Sequence, residues 1–145
     1  MFIWLITVSF LSQVFMWKDF FMNILNQKVI DEYVSKLKKN KYSNVLESLK
    51  MFYFGDDECP EIYISSFKIK KRKRCQGFGS LILQDIVQFA KEHNVQIKLQ
   101  ASDIYGTDKK ILYKFYRKNG FVLVKNNKDG FFLFKNCNKK QKNNV

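Results

Sequence analysis

Apolar positions along this chain change period several times, and each change marks an element. Between residues 18 and 39, Phe20, Phe21, Ile24, Leu25, Val29, Ile30, Tyr33, Val34 and Leu37 recur at three- and four-residue spacing. That is the period of an amphipathic helix, with Lys28, Glu32, Lys36 and Lys39 on its wet face. Asn40 to Ser43 reads as a break, and a second short helix is expected over residues 44–50. MFYF, Met51 to Phe54, reads as a strand that ends at Gly55 and the acidic turn DDECP. A partner strand is expected from Glu61 to Lys70, the two forming a hairpin.

The helical period returns in LILQDIVQFAKEH, where Leu81, Ile82, Ile86, Phe89 and Ala90 mark one face. Val95 to Ala101 reads as a strand, and the polar turn SDIYGTD leads to a helix from Lys109 to Lys118. Asn119-Gly120 caps that helix, with glycine where positive φ is needed. Phe121 to Lys125 and Phe131 to Lys135 read as two strands joined through NNKDG, a hairpin signal. Helices, hairpin, helix, strand, helix and hairpin in this order predict an α/β domain with a mixed central sheet flanked by helices.

The ends behave differently from the middle. Residues 1–17, MFIWLITVSFLSQVFMW, are strongly apolar but lack a basic leader and a clear small-residue cleavage site. The run is shorter than the roughly 20 residues a spanning helix prefers. It is read as a strand or helix packed on the domain, and a membrane is not expected as a partner. The domain is taken as residues 18–136, and residues 137–145 as a basic, disordered tail.

The chain has 145 residues, enough for one domain with a core. Its formal net charge of +13 suggests an acidic partner, nucleic acid or a polyphosphate cofactor. Much of that charge is also what a Lys-, Asn-, Ile- and Phe-rich composition supplies by default. Cys59, Cys75 and Cys137 are widely spaced, and His93 is the lone histidine, so no zinc site is expected. The cysteines read as free thiols of a reducing cytosol, which gives a cytoplasmic expectation. His93 reads as a solvated helix-end residue.

RCQGFGS, Arg74 to Ser80, lies between a strand and a helix. A basic residue, two glycines one residue apart and a helix N-terminus suit a pyrophosphate, because backbone N–H groups turn inward beside partial positive charge. It is not a dinucleotide fingerprint, whose third glycine would fall at Ile82, nor a P-loop, which needs Gly-Lys-Ser/Thr.

Two segments together are more specific. Ile69 ends the strand, Arg74 follows five residues later, and Gly77 and Gly79 open the helix; downstream stands FYRKNGF, Phe115 to Phe121. In this order they resemble the GNAT superfamily of acyl-CoA-dependent N-acetyltransferases, across roughly residues 51–135. The resemblance implies a GNAT-like fold, acetyl-CoA as cosubstrate, no metal, a possible homodimer and acetyl transfer to a primary amine. It implies that backbone groups of Phe67, Lys68 and Ile69 pair with the pantetheine arm as an added strand would. It implies that N–H groups of Cys75, Gln76, Gly77, Phe78, Gly79 and Ser80 hold the pyrophosphate, with Arg74 and Lys71 to Lys73 adding charge.

Transfer needs a neutral amine, donors for the oxyanion and a proton for the leaving thiolate. Tyr116 matches the family position of the proton donor; it is equally a core aromatic, and Tyr113 one turn earlier is a weaker substitute. Many members carry a Glu on the central strand, but YISSF has no carboxylate in its middle. Glu61 is the candidate base, with Asp56, Asp57, Glu58 and Asp103 as alternatives and Ser65 and Ser66 as water-ordering groups. Three functions stay open: N-acetyl transfer, acyl-CoA binding without transfer, and a nucleic-acid-associated acetyltransferase acting on an aminoacyl-RNA or protein amine.

Overall fold

A computed structural model describes residues 25–55, 59–101, 107–124 and 130–135. The expected N-terminal segment, the acidic turn, the SDIYG turn, the NNKDG turn and the basic tail lie wholly or mainly outside those residues. Helix α1 is Gln27–Lys36, capped by Asn26, whose side chain accepts from the Val29 N–H. Its last turn widens over Leu37–Lys41, where the Tyr42 N–H reaches back five residues to the Leu37 carbonyl at 2.9 Å.

The next element corrects the sequence reading. Residues 44–50 are not a second helix; Leu46–Phe54 is one strand, β1, of which MFYF is only the second half. The cause is a register shift between Leu46 and Ser48 against the partner strand. It breaks the alternation, so the buried pair Leu46 and Leu49 stands at a three-residue, helix-like spacing. Strand β2, Glu61–Ile69, pairs with β1 as the expected antiparallel hairpin.

Helix α2 is Phe78–Glu92. Its buried face carries Ile82, Leu83, Ile86, Val87, Phe89 and Ala90, whereas Leu81 is 57% exposed and not on the core side as expected. Ile82, Leu83, Ile86 and Ala90 are fully enclosed, and each of the three larger side chains is worth about 1.5–3 kcal/mol of burial. His93 ends the helix half-buried, its Nδ1 2.9 Å from the Phe89 carbonyl, rather than solvated.

Strand β3, Gln96–Gln100, and helix α3, Lys109–Lys118, follow as read, α3 starting from the Asp108 cap. The short β4, Val122–Leu123, and β5, Phe131–Phe134, form the expected antiparallel pair. The described strands make a mixed sheet in the order β1-β2-β3-β5-β4. β2 and β3 are parallel; the other neighbours are antiparallel. The architecture is therefore the mixed α/β sheet with flanking helices that the element order predicts.

Cys59 is disulfide-bonded, against the expectation of free thiols. Distance along the chain sets no lower limit on distance in the fold. Cys75 is free and exposed.

Candidate functional site

The parallel pairing of β2 with β3 runs from Glu61–Gln96 to Ile64–Leu99 and stops there. β2 continues to Ile69, still paired to β1. At this point the β1 register jumps between Lys50–Ser66 and Met51–Ile64, which leaves Ser65 as an extra residue. Such a bulge bends its strand. Past it, the ladder between β2 and β3 has ended, and a cleft of about 560 Å³ opens in the split.

Phe67, Lys68 and Ile69 line this cleft, as do Arg74, Cys75, Gly77, Phe78, Gly79, Ser80 and Tyr116. Ten of the expected site residues thus surround one space. Gln76 sits in the same loop but does not line the cleft; its Nε2 donates to the Arg72 carbonyl at 3.2 Å.

The loop's conformation explains what it offers. A single turn over Lys71–Lys73 reverses the chain after β2. The Arg74 Nε then donates to the Ile69 carbonyl at 3.0 Å, tying the loop to the strand end. Arg74 therefore has a structural bond besides the charge role expected of it. Cys75 has φ +62° and Gly77 φ +83°, two left-handed residues one apart. Alternation of this kind turns successive N–H groups to one side. The first helical bond is made by the Leu81 N–H to the Gly77 carbonyl, at 3.2 Å. Among the described residues no acceptor meets the N–H groups of Cys75 to Ser80. These N–H groups and the positive end of α2 belong to the loop that forms one end of the cleft, which all of its residues but Gln76 line.

The two glycines differ in their reasons. A Cβ on Gly77 would touch nothing within 4 Å, so its backbone angle is the constraint. A Cβ on Gly79 would lie 3.2 Å from Cζ of Phe115, so α3 packs against this glycine.

Tyr116 is 7% exposed, with its ring 5.5 Å from that of Phe132 and 6.1 Å from that of Phe121. Burial pushes its hydroxyl up to about 12, so it stays protonated and able to donate at neutral pH. It is both a core aromatic and a residue that lines the cleft. Tyr113 packs edge-on against Phe132 at 5.1 Å and does not line the cleft.

Glu61 stands at the other end of β2 from the loop, and its carboxylate accepts from Gln96 Nε2 at 2.7 Å. It is not brought into the cleft. Asp56, Asp57, Glu58 and Asp103 lie outside the described residues. Ser65 and Ser66 do line the cleft, and the Ser66 hydroxyl pairs with that of Ser48 at 2.7 Å. Among the described residues no group of acidic, His and Cys side chains is arranged to hold a metal ion.

Sequence reasoning missed one wall. Leu99, Gln100, Thr107, Ile111, Leu112 and Phe115 also line the cleft. The i, i+1, i+4, i+5 apolar spacing of Ile111, Leu112, Phe115 and Tyr116 was legible as a helix face, but not that this face borders a cavity. It also missed Asn119, read as a cap and found 8% exposed between two helices.

No protein-family model and no curated protein matches the chain. Among solved structures it is similar to the anti-CRISPR protein AcrVA5, at 22% identity over 62% of this chain and 93% of that one, with a TM-score of 0.48. It is similar to Naa50 of Arabidopsis thaliana in complex with the bisubstrate analogue CoA-Ac-MVNAL, at 14% identity over 76% and 92%, TM-score 0.47. It is also similar to Ard1 from Thermoplasma volcanium, at 22% identity over 59% of each chain, TM-score 0.42.

Proposed function

We propose that this chain is a GNAT-superfamily N-acetyltransferase that moves an acetyl group from acetyl-CoA to a primary amine while both are bound. One observation carries the reading. The end of the β2–β3 pairing, the loop whose N–H groups meet no acceptor among the described residues, and the protonated Tyr116 border a single cleft. Each part answers one need of a pantetheine thioester with a pyrophosphate.

The N–H groups of Cys75 to Ser80 would hold the pyrophosphate, with charge from Arg74 and Lys73, both at the cleft. Backbone groups of Phe67, Lys68 and Ile69, on the part of β2 beyond its ladder with β3, would take the pantetheine arm as an added strand. The cosubstrate supplies an acyl thioester, whose carbonyl carbon a neutral amine can attack. A backbone N–H near Ile69 would meet the developing oxyanion. Tyr116 would give its proton to the leaving sulfur. Glu61, bonded to Gln96 away from the cleft, would act on the amine only through intervening water.

The test is release of free thiol from acetyl-CoA across a panel of amines, with the Tyr116→Phe variant alongside. The expected result is turnover with at least one amine and a kcat about 10²-fold or more lower in the variant, as for loss of a general acid. CoA binding should stay near the parent value. The engagement of Glu61 outside the cleft favours a second reading, acyl-CoA binding without transfer. CoA binding with no thiol released by any amine would select that reading; no CoA binding would overturn both.

A further inference from the structure

The cofactor loop opens α2 and the candidate proton donor sits on α3, so transfer depends on how these helices meet. Their joint has two parts. The apolar part is the contact of Gly79 with the Phe115 ring, where a Cβ would come to 3.2 Å. The polar part is Asn119, the residue after α3 and 8% exposed.

The Asn119 side chain spans both helices. Its Nδ2 donates to the Phe115 carbonyl at 2.8 Å and to the Ser80 hydroxyl at 3.4 Å. Its Oδ1 accepts from Gln84 Nε2 at 3.0 Å. A carbonyl can only accept, so the Phe115 contact orients the amide and leaves the oxygen for Gln84. Ser80 and Gln84 are one turn apart on α2 and present one edge to this amide. Ser80 carries one of the six free N–H groups, and Phe115 adjoins Tyr116.

We infer that Asn119 is a positioning residue: its amide clamps the first turn of α2 to the last turn of α3 and so sets the N–H cradle in register with the Tyr116 hydroxyl. The inference rests on the acetyl-CoA reading for its consequence, but the clamp itself is a property of the free protein. Without the amide, apolar contacts such as that of Gly79 with Phe115 remain, and they resist sliding poorly because they are non-directional.

The experiment compares the full chain with Asn119→Ala and with Ile30→Val, a core change in α1 with no contact to the cleft. Amide exchange is followed at Leu81, whose N–H makes the first helical bond of α2, and at Ile82 and Leu83 behind it in the free protein, together with CoA affinity and, where turnover occurs, kcat and KM for acetyl-CoA. In Asn119→Ala, exchange in the first turn of α2 should quicken at least tenfold ahead of global opening. CoA affinity should fall about five- to tenfold, with KM and kcat both worse. Ile30→Val should lower Tm and leave exchange in that turn, affinity and KM unchanged. Gln84→Ala should give a smaller effect than Asn119→Ala, and little further loss when combined with it. Unchanged exchange in that turn overturns the clamp. Faster exchange with parent-like CoA affinity and kinetics overturns its role in positioning. A parent chain that binds no CoA refutes the acetyl-CoA reading and removes the positioning role with it, even where exchange shows that the clamp exists.

Discussion

Replacing Gly77 with alanine isolates the backbone cost of the loop. At φ +83° an alanine pays about 1–2 kcal/mol, because its Cβ crowds the following carbonyl. No other cost intrudes, since nothing lies within 4 Å of the added Cβ. Where that strain appears depends on the loop. A loop that keeps its shape in the free protein shows the whole cost as stability, roughly 3–7 °C in Tm for a chain of this size. A loop that relaxes shows it as binding, because the ligand must restore the left-handed residue; 1.4 kcal/mol is then about tenfold in Kd. The two losses should sum to about 1–2 kcal/mol. Gly77→Asn should recover part of it, asparagine being a residue that tolerates this region. Denaturant unfolding and CoA titration on the same preparations measure both. A variant within 0.3 kcal/mol of the parent in both would refute the claim that Gly77 is held left-handed for the cradle. A total far above 2 kcal/mol would reveal a contact that the structure lacks.

Two further outcomes follow from buried and paired side chains. Burial holds the Tyr116 hydroxyl at about 12, and burial with the nearby Asp85 pushes Tyr33 up as well. Below pH 10 both stay protonated, folded or unfolded. As pH rises past 10 the unfolded chain releases protons that the folded chain retains, so stability should fall through the window from 10 to 12, by about 2–3 kcal/mol from Tyr116 alone. Denaturant midpoints flat across that window would contradict the burial. Asp85 accepts from Tyr42 Oη at 2.6 Å and from Lys41 Nζ at 2.8 Å. Burial alone would raise its pKa, but these two hydrogen bonds hold it below the usual carboxylate value. Asp85→Ala should cost about 1–2 kcal/mol at neutral pH, mostly through the half-buried tyrosine bond. The cost should fade as pH falls below 3.8 and the carboxyl takes up a proton. A loss that persists undiminished at pH 2 would assign the effect to packing.

Much of the site was legible because its signals are local. Gly77 reports a left-handed residue through its own identity, and a strand before it with a helix after it follows from short windows of periodicity. The same holds for α3, whose bounds Lys109–Lys118 were read without loss from its polar start and Asn119-Gly120 end. The failures have a common cause. The helix expected over residues 44–50 is a strand because pairing with β2 shifts register at Leu46 to Ser48 and makes a strand look three-periodic. Leu81 was placed inward and Leu83 was not, because where the core lies around α2 is set by which strands it covers. Glu61 is a candidate base from its place at the start of the central strand, and that place is the end of β2 away from the loop, so it does not line the cleft.

By itself, the sequence determined the mixed α/β class and the strand–glycine loop–helix unit. These depend on backbone angles, apolar period and helix ends, all of which a few neighbouring residues dictate. Only the tertiary structure decided that β5 inserts between β3 and β4, that β2 and β3 part after Ile64, and that α3 closes the resulting cleft with Tyr116 inside it. Those outcomes turn on long-range pairing, where many partners are locally equivalent and the burial of one shared core selects among them. Asn119 belongs to the second kind: a cap by its place in the chain, and a link between two helices only once they meet.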